Sequence, residues 1–185
     1  RQMCIRDRMR LLAGKEEPDT GMIVWGETIK IGYFAQECEV MDEQQRVIDY
    51  IRDAAEYIQT SDGRISASRM LERFLFSPDM QYAPIAKISG GERRRLYLLK
   101  VLMEAPNVLI LDEPTNDLDI ATLQVLEGFL DNFPGIVIVV SHDRYFLDRI
   151  SDRIASFEDG QIRIYEGGYT DYMEKRKQRE DGEES

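Results

Sequence analysis

Two adjacent carboxylates, Asp112 and Glu113, close a run of four apolar residues, Val108-Leu109-Ile110-Leu111. A short continuous apolar run bounded by turn residues reads as a strand buried on both faces, as in a parallel sheet. Both acids then stand at its carboxyl end, where open α/β sheets place their ligands. One acid there can hold Mg2+ directly or through water while its neighbour positions or deprotonates an attacking water. An acidic, solvated turn after a core strand is the plainer alternative. Upstream, Ser89-Gly90-Gly91-Glu92 opens a helical stretch. Its glycines let backbone N–H groups approach an anion closely, and a helix start favours negative charge. The same tetrapeptide also reads as an ordinary loop and N-cap. The one histidine, His142, follows a second apolar run and can donate to a transferring phosphoryl group or simply cap the chain. Gln36, after a strand pattern, can ligate a metal or orient water through its amide. Asn116-Asp117-Leu118-Asp119 is a turn that can cap the next helix. Arg93-Arg94-Arg95 and the basic residues at 175–179 read as contacts for RNA or a partner, or as solvated helix faces.

The elements that must hold these residues follow from periodicity. Met9, Leu11 and Leu12 read as the tail of a buried helix ended by Gly14, and 22–25 and 28–34 as short strands. A helix over 46–58 places Val47, Ile51, Ala54 and Ile58 on one face, and a second over 66–76 turns Met70, Leu71, Phe74 and Leu75 inward. A loop is expected around Ser77-Pro78-Asp79 and Pro84. A long helix from 92 to 104 follows. Beyond the strand at 108–111 come a helix over 119–132, a strand over 136–140 and a helix over 144–150. That rhythm argues for crossover units in a parallel sheet. A hairpin over 153–158 and 161–165, turning at Asp159-Gly160, then leads to a charged helix over 169–180 and a polar end at 181–185.

Composition narrows the function classes. The chain has 185 residues, 43% of them hydrophobic, enough for one α/β domain with a core. A formal net charge of −11 argues against a general, salt-sensitive grip on nucleic acid, so any such contact is local. Apolar runs fall short of the roughly 20 residues that span a bilayer. These features lead us to expect a cytoplasmic protein without a membrane partner. Two cysteines, Cys4 and Cys38, have no CxxC or Cys/His neighbour, which points to unpaired thiols.

In combination these motifs resemble those of the ATP-binding-cassette ATPases over residues 9–172. Gln36 is similar to the Q-loop glutamine, and Ser89-Gly90-Gly91-Glu92 to the signature motif. Asp112 and Glu113 resemble the Walker B pair, Asn116-Asp117-Leu118-Asp119 the D-loop, and His142 the switch histidine. Glu113-Pro114-Thr115-Asn116-Asp117-Leu118-Asp119, Glu92 after the two glycines, and Ser141-His142-Asp143-Arg144 resemble the ABC-F group in particular. So does Gly167-Gly168-Tyr169-Thr170-Asp171-Tyr172, which is similar to the close of a second, Uup-like cassette.

The resemblance implies a P-loop NTPase-like α/β cassette: a parallel core sheet, a remnant antiparallel β subdomain and a helical signature lobe over 46–105. It also implies Mg2+ and ATP as cofactors. Asp112 and Gln36 would serve the metal, Glu113 and His142 catalysis, and Gln36, Ser89, Gly90, Gly91, Glu92 and Asp119 the nucleotide. The implied partners are another cassette, expected in the same parent chain, and the ribosome and its RNA. ABC-F proteins are soluble, with two cassettes in one chain, and act in translation. A transporter's energy-coupling subunit and a non-catalytic interaction module are the alternatives.

The sequence contains no G-x-x-x-x-G-K-[ST], the loop whose backbone, Lys and Ser/Thr serve the phosphates and Mg2+. Family register places Ile5 and Arg6 where that Lys and Ser would stand. We expect residues 1–8 to be an unrelated or artefactual leader on a truncated cassette, with a naturally P-loop-less relative as the alternative. Residues 173–185 are expected as a charged helix and tail. The isolated chain is then expected to be inactive alone, although its parent hydrolyses ATP.

Overall fold

A computed structural model describes residues 5–158 and 160–183. Its chain divides into two units, one ending at Val140 and the other beginning at Ser141.

The first unit is built on a three-stranded parallel sheet, β1 (Ile31–Phe34), β4 (Val108–Asp112) and β5 (Ile136–Val140), in the order β1-β4-β5. Register aligns Phe34 with Leu111, and Asp112 with Val140. The central strand β4 carries Leu109, Ile110, Leu111 and Asp112 at 1% exposure or less, as a strand covered on both faces requires. Helix α6 (Ile120–Asp131) connects β4 to β5, and the larger excursion from β1 to β4 forms a helical lobe.

That lobe contains α2 (Val47–Ala54), the antiparallel hairpin β2 (Tyr57–Thr60) and β3 (Gly63–Ser66), α3 (Ala67–Arg73), α4 (Pro78–Tyr82), a single 3-10 turn at Ile85–Lys87, and α5 (Gly90–Met103). Helix α5 is its axis. Leu96, Leu98, Leu99 and Leu102 are fully buried on it, α2 and α3 pack against it, and Ile48, Ile51 and Leu71 on those helices are fully buried as well. Fully burying one such side chain contributes roughly 1.5–3 kcal/mol. This shared core therefore fixes where the start of α5 lies within the lobe.

Several elements differ from expectation for identifiable reasons. The helix expected over 46–58 stops at Ala54, and Ile58 lies in the hairpin, paired with Ile65. Ile58 and Ile65 are both buried, and Gly63 turns the chain at φ +102°. The loop expected at 77–79 is instead α4, with Ser77 as N-cap accepting from Met80 N and Pro78 in the first turn, where a missing N–H costs nothing. Residues 22–30 form no strand, and Met22 and Val24 are more than four-fifths exposed. An extended run needs a neighbour for its backbone groups, and among the described residues β1 pairs only with β4.

Helix α1 (Ile5–Leu12) begins within the segment expected to be a leader. It ends in a Schellman motif: Lys15 N bonds Arg10 O at 2.8 Å and Gly14 N bonds Leu11 O at 3.0 Å, with Gly14 at φ +69°. Residues 1–4 of that expected leader lie outside the described residues.

The second unit comprises α7 (Arg144–Ile150), the antiparallel hairpin β6 (Arg153–Glu158) and β7 (Gln161–Glu166), and α8 (Tyr169–Glu183). Asp159, expected in the hairpin turn, lies outside the described residues, while Gly160 has φ +78°. Arg179 pairs with Glu158 at 2.9 Å and donates to Tyr165 Oη at 3.0 Å, fastening α8 to the hairpin. Among the described residues no helix is long and apolar enough to cross a membrane.

Candidate functional site

The acids stand where the apolar run placed them, with geometry that periodicity could not give. Asp112 is the last residue of β4 and is 1% exposed. Its Oδ2 accepts from Tyr33 Oη at 3.2 Å and lies 3.4 Å from Arg6 Nε. Its Oδ1 is buried without a hydrogen-bond partner. Burial first, then the adjacent carboxylate, pushes the Tyr33 phenol up to about 12.

Glu113 is 5% exposed and adopts φ 51°, a left-handed conformation costly for a residue with a Cβ. Its N–H bonds Val140 O at 2.7 Å, extending the β4–β5 ladder by one step while the chain turns into Pro114. The Walker B-like pair thus divides into one carboxylate on the strand and one on a strained corner.

Gln36 sits half-buried two residues beyond Phe34, as Glu113 sits two beyond Leu111, and Phe34 and Leu111 are in register. The strands are parallel, so Gln36, Asp112 and Glu113 all belong to the sheet's carboxyl end. The Gln36 amide makes no hydrogen bond among the described residues. The segment before it is held by α5. Arg94 Nη1 donates to Ala35 O at 2.5 Å, with its guanidinium 3.9 Å from the Phe34 ring centre, and Tyr97 Oη donates to Tyr33 O at 3.3 Å.

Ser89 and Glu92 form a reciprocal capping box at the start of α5. Glu92 N donates to Ser89 Oγ at 3.2 Å, and Ser89 N donates to Glu92 Oε2 at 2.7 Å. Gly90 and Gly91 are exposed. A Cβ added at Gly90 would meet nothing within 4 Å, and one at Gly91 would meet only Asp117 O at 3.6 Å. Neither glycine has the positive φ that would demand it. The space they leave faces solvent and gives a large anion room to approach the helix start.

Asp119 caps α6, accepting from Thr122 N at 2.7 Å, and pairs with Arg95 Nη1 at 3.3 Å. The hydroxyl and backbone N–H of Thr122 hold its carboxyl below the usual carboxylate range. Arg94 and Arg95 are 3% and 7% exposed, so neither forms a solvated face or a surface for RNA. Arg95 instead joins α5 to α6, and burial lowers the affinity of Arg94 for its proton. Tyr33 is the contact of Asp112 that motif reading passed over. Alternation on β1 puts it on the same face as its register partner Ile110, and hence as Asp112, but only once the register is known.

His142 belongs to the second unit and is exposed. It follows the last residue of β5 by two positions and precedes Asp143, whose carboxylate caps α7 through Phe146 N at 3.1 Å.

Among the described residues no group of three or more His, Cys, Asp and Glu is placed to hold a metal alone. A magnesium ion bound with phosphates requires fewer. It takes one or two carboxylates, keeps several waters and draws its other ligands from the phosphates. The buried, unpartnered Oδ1 of Asp112 fits that role.

Comparison with known proteins bears on the family and the fold. The family model described as ABC transporter matches residues 8–116. The chain is 57% identical over 171 residues to the ABC transporter ATP-binding protein YfmR of Bacillus subtilis, covering 91% of the chain and 27% of that protein. It is 40% identical over 169 residues to the energy-dependent translational throttle protein EttA of Escherichia coli K12, covering 91% of the chain and 30% of EttA. It is 38% identical over 169 residues to the ATP-binding protein Uup of Haemophilus influenzae, covering 91% of the chain and 26% of Uup. The chain thus spans between a quarter and a third of the length of these relatives.

Among solved structures, the archaeal ribosome recycling factor aABCE1, in complex with the stalk protein aP1, superposes with a TM-score of 0.66 at 24% identity, over 85% of this chain and 31% of that one. The ATP-binding cassette MJ0796, a dimer bound to ADP and phosphate, superposes at 0.62 and 18% identity, over 88% and 80%. These likenesses show the fold. With its parallel sheet, helical lobe and matched family model, the chain belongs to the ATP-binding-cassette family, and its curated relatives are ABC-F proteins.

Proposed function

We propose that this chain is the greater part of one cassette of a soluble, cytoplasmic ABC-F ATPase whose ATP cycle governs an association with the ribosome. The observation that carries the reading is Asp112: a buried carboxylate at the carboxyl end of a parallel sheet, one oxygen held and the other unpartnered. Asp112, with Gln36 beside it, would hold Mg2+. Held there, the ion would supply positive charge against the phosphates of ATP. Glu113 would orient and deprotonate the attacking water, and for His142 the phosphoryl-donor role rests on the family resemblance alone. The start of α5, with Ser89 and the open faces of Gly90 and Gly91, would meet the phosphates of ATP held by another cassette. Asp119 would act at the junction between the two.

The ribosomal part of the reading is supported by the names of EttA, a translational throttle, and of aABCE1, a ribosome recycling factor. The basis for a weak nucleotide site in the chain alone is the sequence itself, which lacks G-x-x-x-x-G-K-[ST]. Titration of the 185-residue chain with a fluorescent ATP analogue and Mg2+ tests this half. The expected result is no saturable binding in the micromolar range. Micromolar, Mg2+-dependent binding abolished by Asp112→Asn would overturn it.

A further inference from the structure

We propose that Tyr33 is a positioning residue for the metal site: its hydroxyl fixes the Asp112 carboxylate so that Oδ1 alone is presented to a divalent cation. The inference rests on reading Asp112 as the metal ligand, and concerns how the chain aims it.

Strand pairing sets the geometry. Tyr33 is in register with Ile110, and Ile110 and Asp112 are two apart on β4, so all three project from one face of the sheet. The phenol must reach two residues along the neighbouring strand, about 6.6 Å at the usual rise. A tyrosine side chain spans that distance and ends in a donor. Phenylalanine would span it without a donor, and serine or threonine would fall short. The hydroxyl lies 3.2 Å from Oδ2, which the half-exposed Arg6 Nε also approaches at 3.4 Å, and Oδ1 is left without a hydrogen bond.

Tyr97 Oη donates to the Tyr33 carbonyl at 3.3 Å, a contact with the strand backbone and not with the phenol, so the phenol keeps its reach to Asp112 without it. Phe34, the next residue, is buried on the opposite face between the Arg94 guanidinium and the Tyr97 ring. Carboxylates that bind metals are generally oriented by such outer hydrogen bonds, whose loss typically costs 10–100-fold in metal affinity.

Mn2+ binding to the full chain, followed by electron paramagnetic resonance, tests the proposal in wild type, Y33F, D112N, the Y33F/D112N double variant and Y97F. The acidic surface also collects Mn2+, so the Asp112 site is the part of the binding that D112N removes. The proposal expects Y33F to weaken that part about 10-fold, Y33F to add nothing in the D112N background, and Y97F to match wild type. Y33F binding within two-fold of wild type while D112N removes the site would overturn the role of Tyr33 alone. An equal loss in Y97F would do the same, since loosening β1 would then suffice. Indistinguishable binding by wild type and D112N would overturn the metal reading and the proposal together. Should Y33F not fold, the wild-type chain decides. Mn2+ should broaden the ring resonances of Tyr33 before those of Tyr57 on the β2–β3 hairpin, and the reverse order refutes the proposal.

Discussion

Ser89 is assigned two tasks, capping α5 and meeting an anion, and substitution can separate them. In Ser89→Ala the bond from Glu92 N to Oγ is lost, while the return bond from Ser89 N to Glu92 Oε2 can persist. Losing an N-cap side chain costs about 1 kcal/mol, and replacement by glycine costs only a few tenths. Helix α5 is the axis of the lobe, so the full cost should appear in global unfolding. For a chain of this size about 1 kcal/mol lowers Tm by roughly 2–4 °C. Ser89→Asp keeps a capping oxygen, and its charge is favourable at a helix start, so its Tm should fall within about 1 °C of wild type on the same scale. Yet it places a carboxylate where the proposed contact puts the phosphates of a partner-held ATP. Thermal unfolding by far-UV circular dichroism, paired with ATP-dependent association with a second cassette, reads both tasks. Ser89→Ala should lose stability, whereas Ser89→Asp should keep stability and lose association. An unchanged Tm in Ser89→Ala would refute the capping argument, and full association in Ser89→Asp would refute the anion contact.

Other outcomes follow from the same geometry. Gly14→Ala puts a Cβ at φ +69° in the Schellman turn and should cost about 1–2 kcal/mol in chemical denaturation. Conversely, Leu75→Gly relieves a left-handed leucine at φ 67° that is nearly half exposed and should raise stability by up to about 1 kcal/mol. The phenol of Tyr33 is raised from 10.0 to about 12, so the neutral form is the one the fold favours. Its contribution to stability is complete below pH 10 and is lost as pH rises through 12. Tyrosinate absorbance at 295 nm should show the late-ionising fraction diminished in Y33F. In D112N, burial should still delay ionisation, but less than in wild type.

The parts of this fold visible in the sequence are those where local chemistry and tertiary context agree. Val108 to Asp112 had to be a buried strand because no other element hides four consecutive large apolar side chains so briefly. Ser89 and Glu92 had to cap because their spacing matches the first turn. Gly14 had to end α1. Legibility failed where two periods fit the same residues. Ile58 lies four beyond Ala54, as on a helix, and also alternates within Tyr57–Thr60, as on a strand. Pairing with Ile65 decided between them. Ser77-Pro78 reads as a breaker until Pro is recognised as tolerable in a first turn. Arg94 and Arg95 read as solvated because charge favours water. They are buried because Ala35 O, Asp119 and the Phe34 and Phe76 rings receive them, which no local rule supplies. Tyr33 was silent for the same reason: its meaning depends on the strand beside it.

The central claim is that the chain offers the start of α5 to ATP held by another cassette. Sedimentation of the chain mixed with a hydrolysis-deficient cassette that contains a complete G-x-x-x-x-G-K-[ST] tests it directly, with and without Mg-ATP. The Gly90→Leu variant serves as the blocked form, because a Cβ added there meets nothing within 4 Å. The account predicts a complex that forms only with ATP and is lost in Gly90→Leu without loss of folding. A complex that ignores ATP, or one that Gly90→Leu leaves intact, would contradict it.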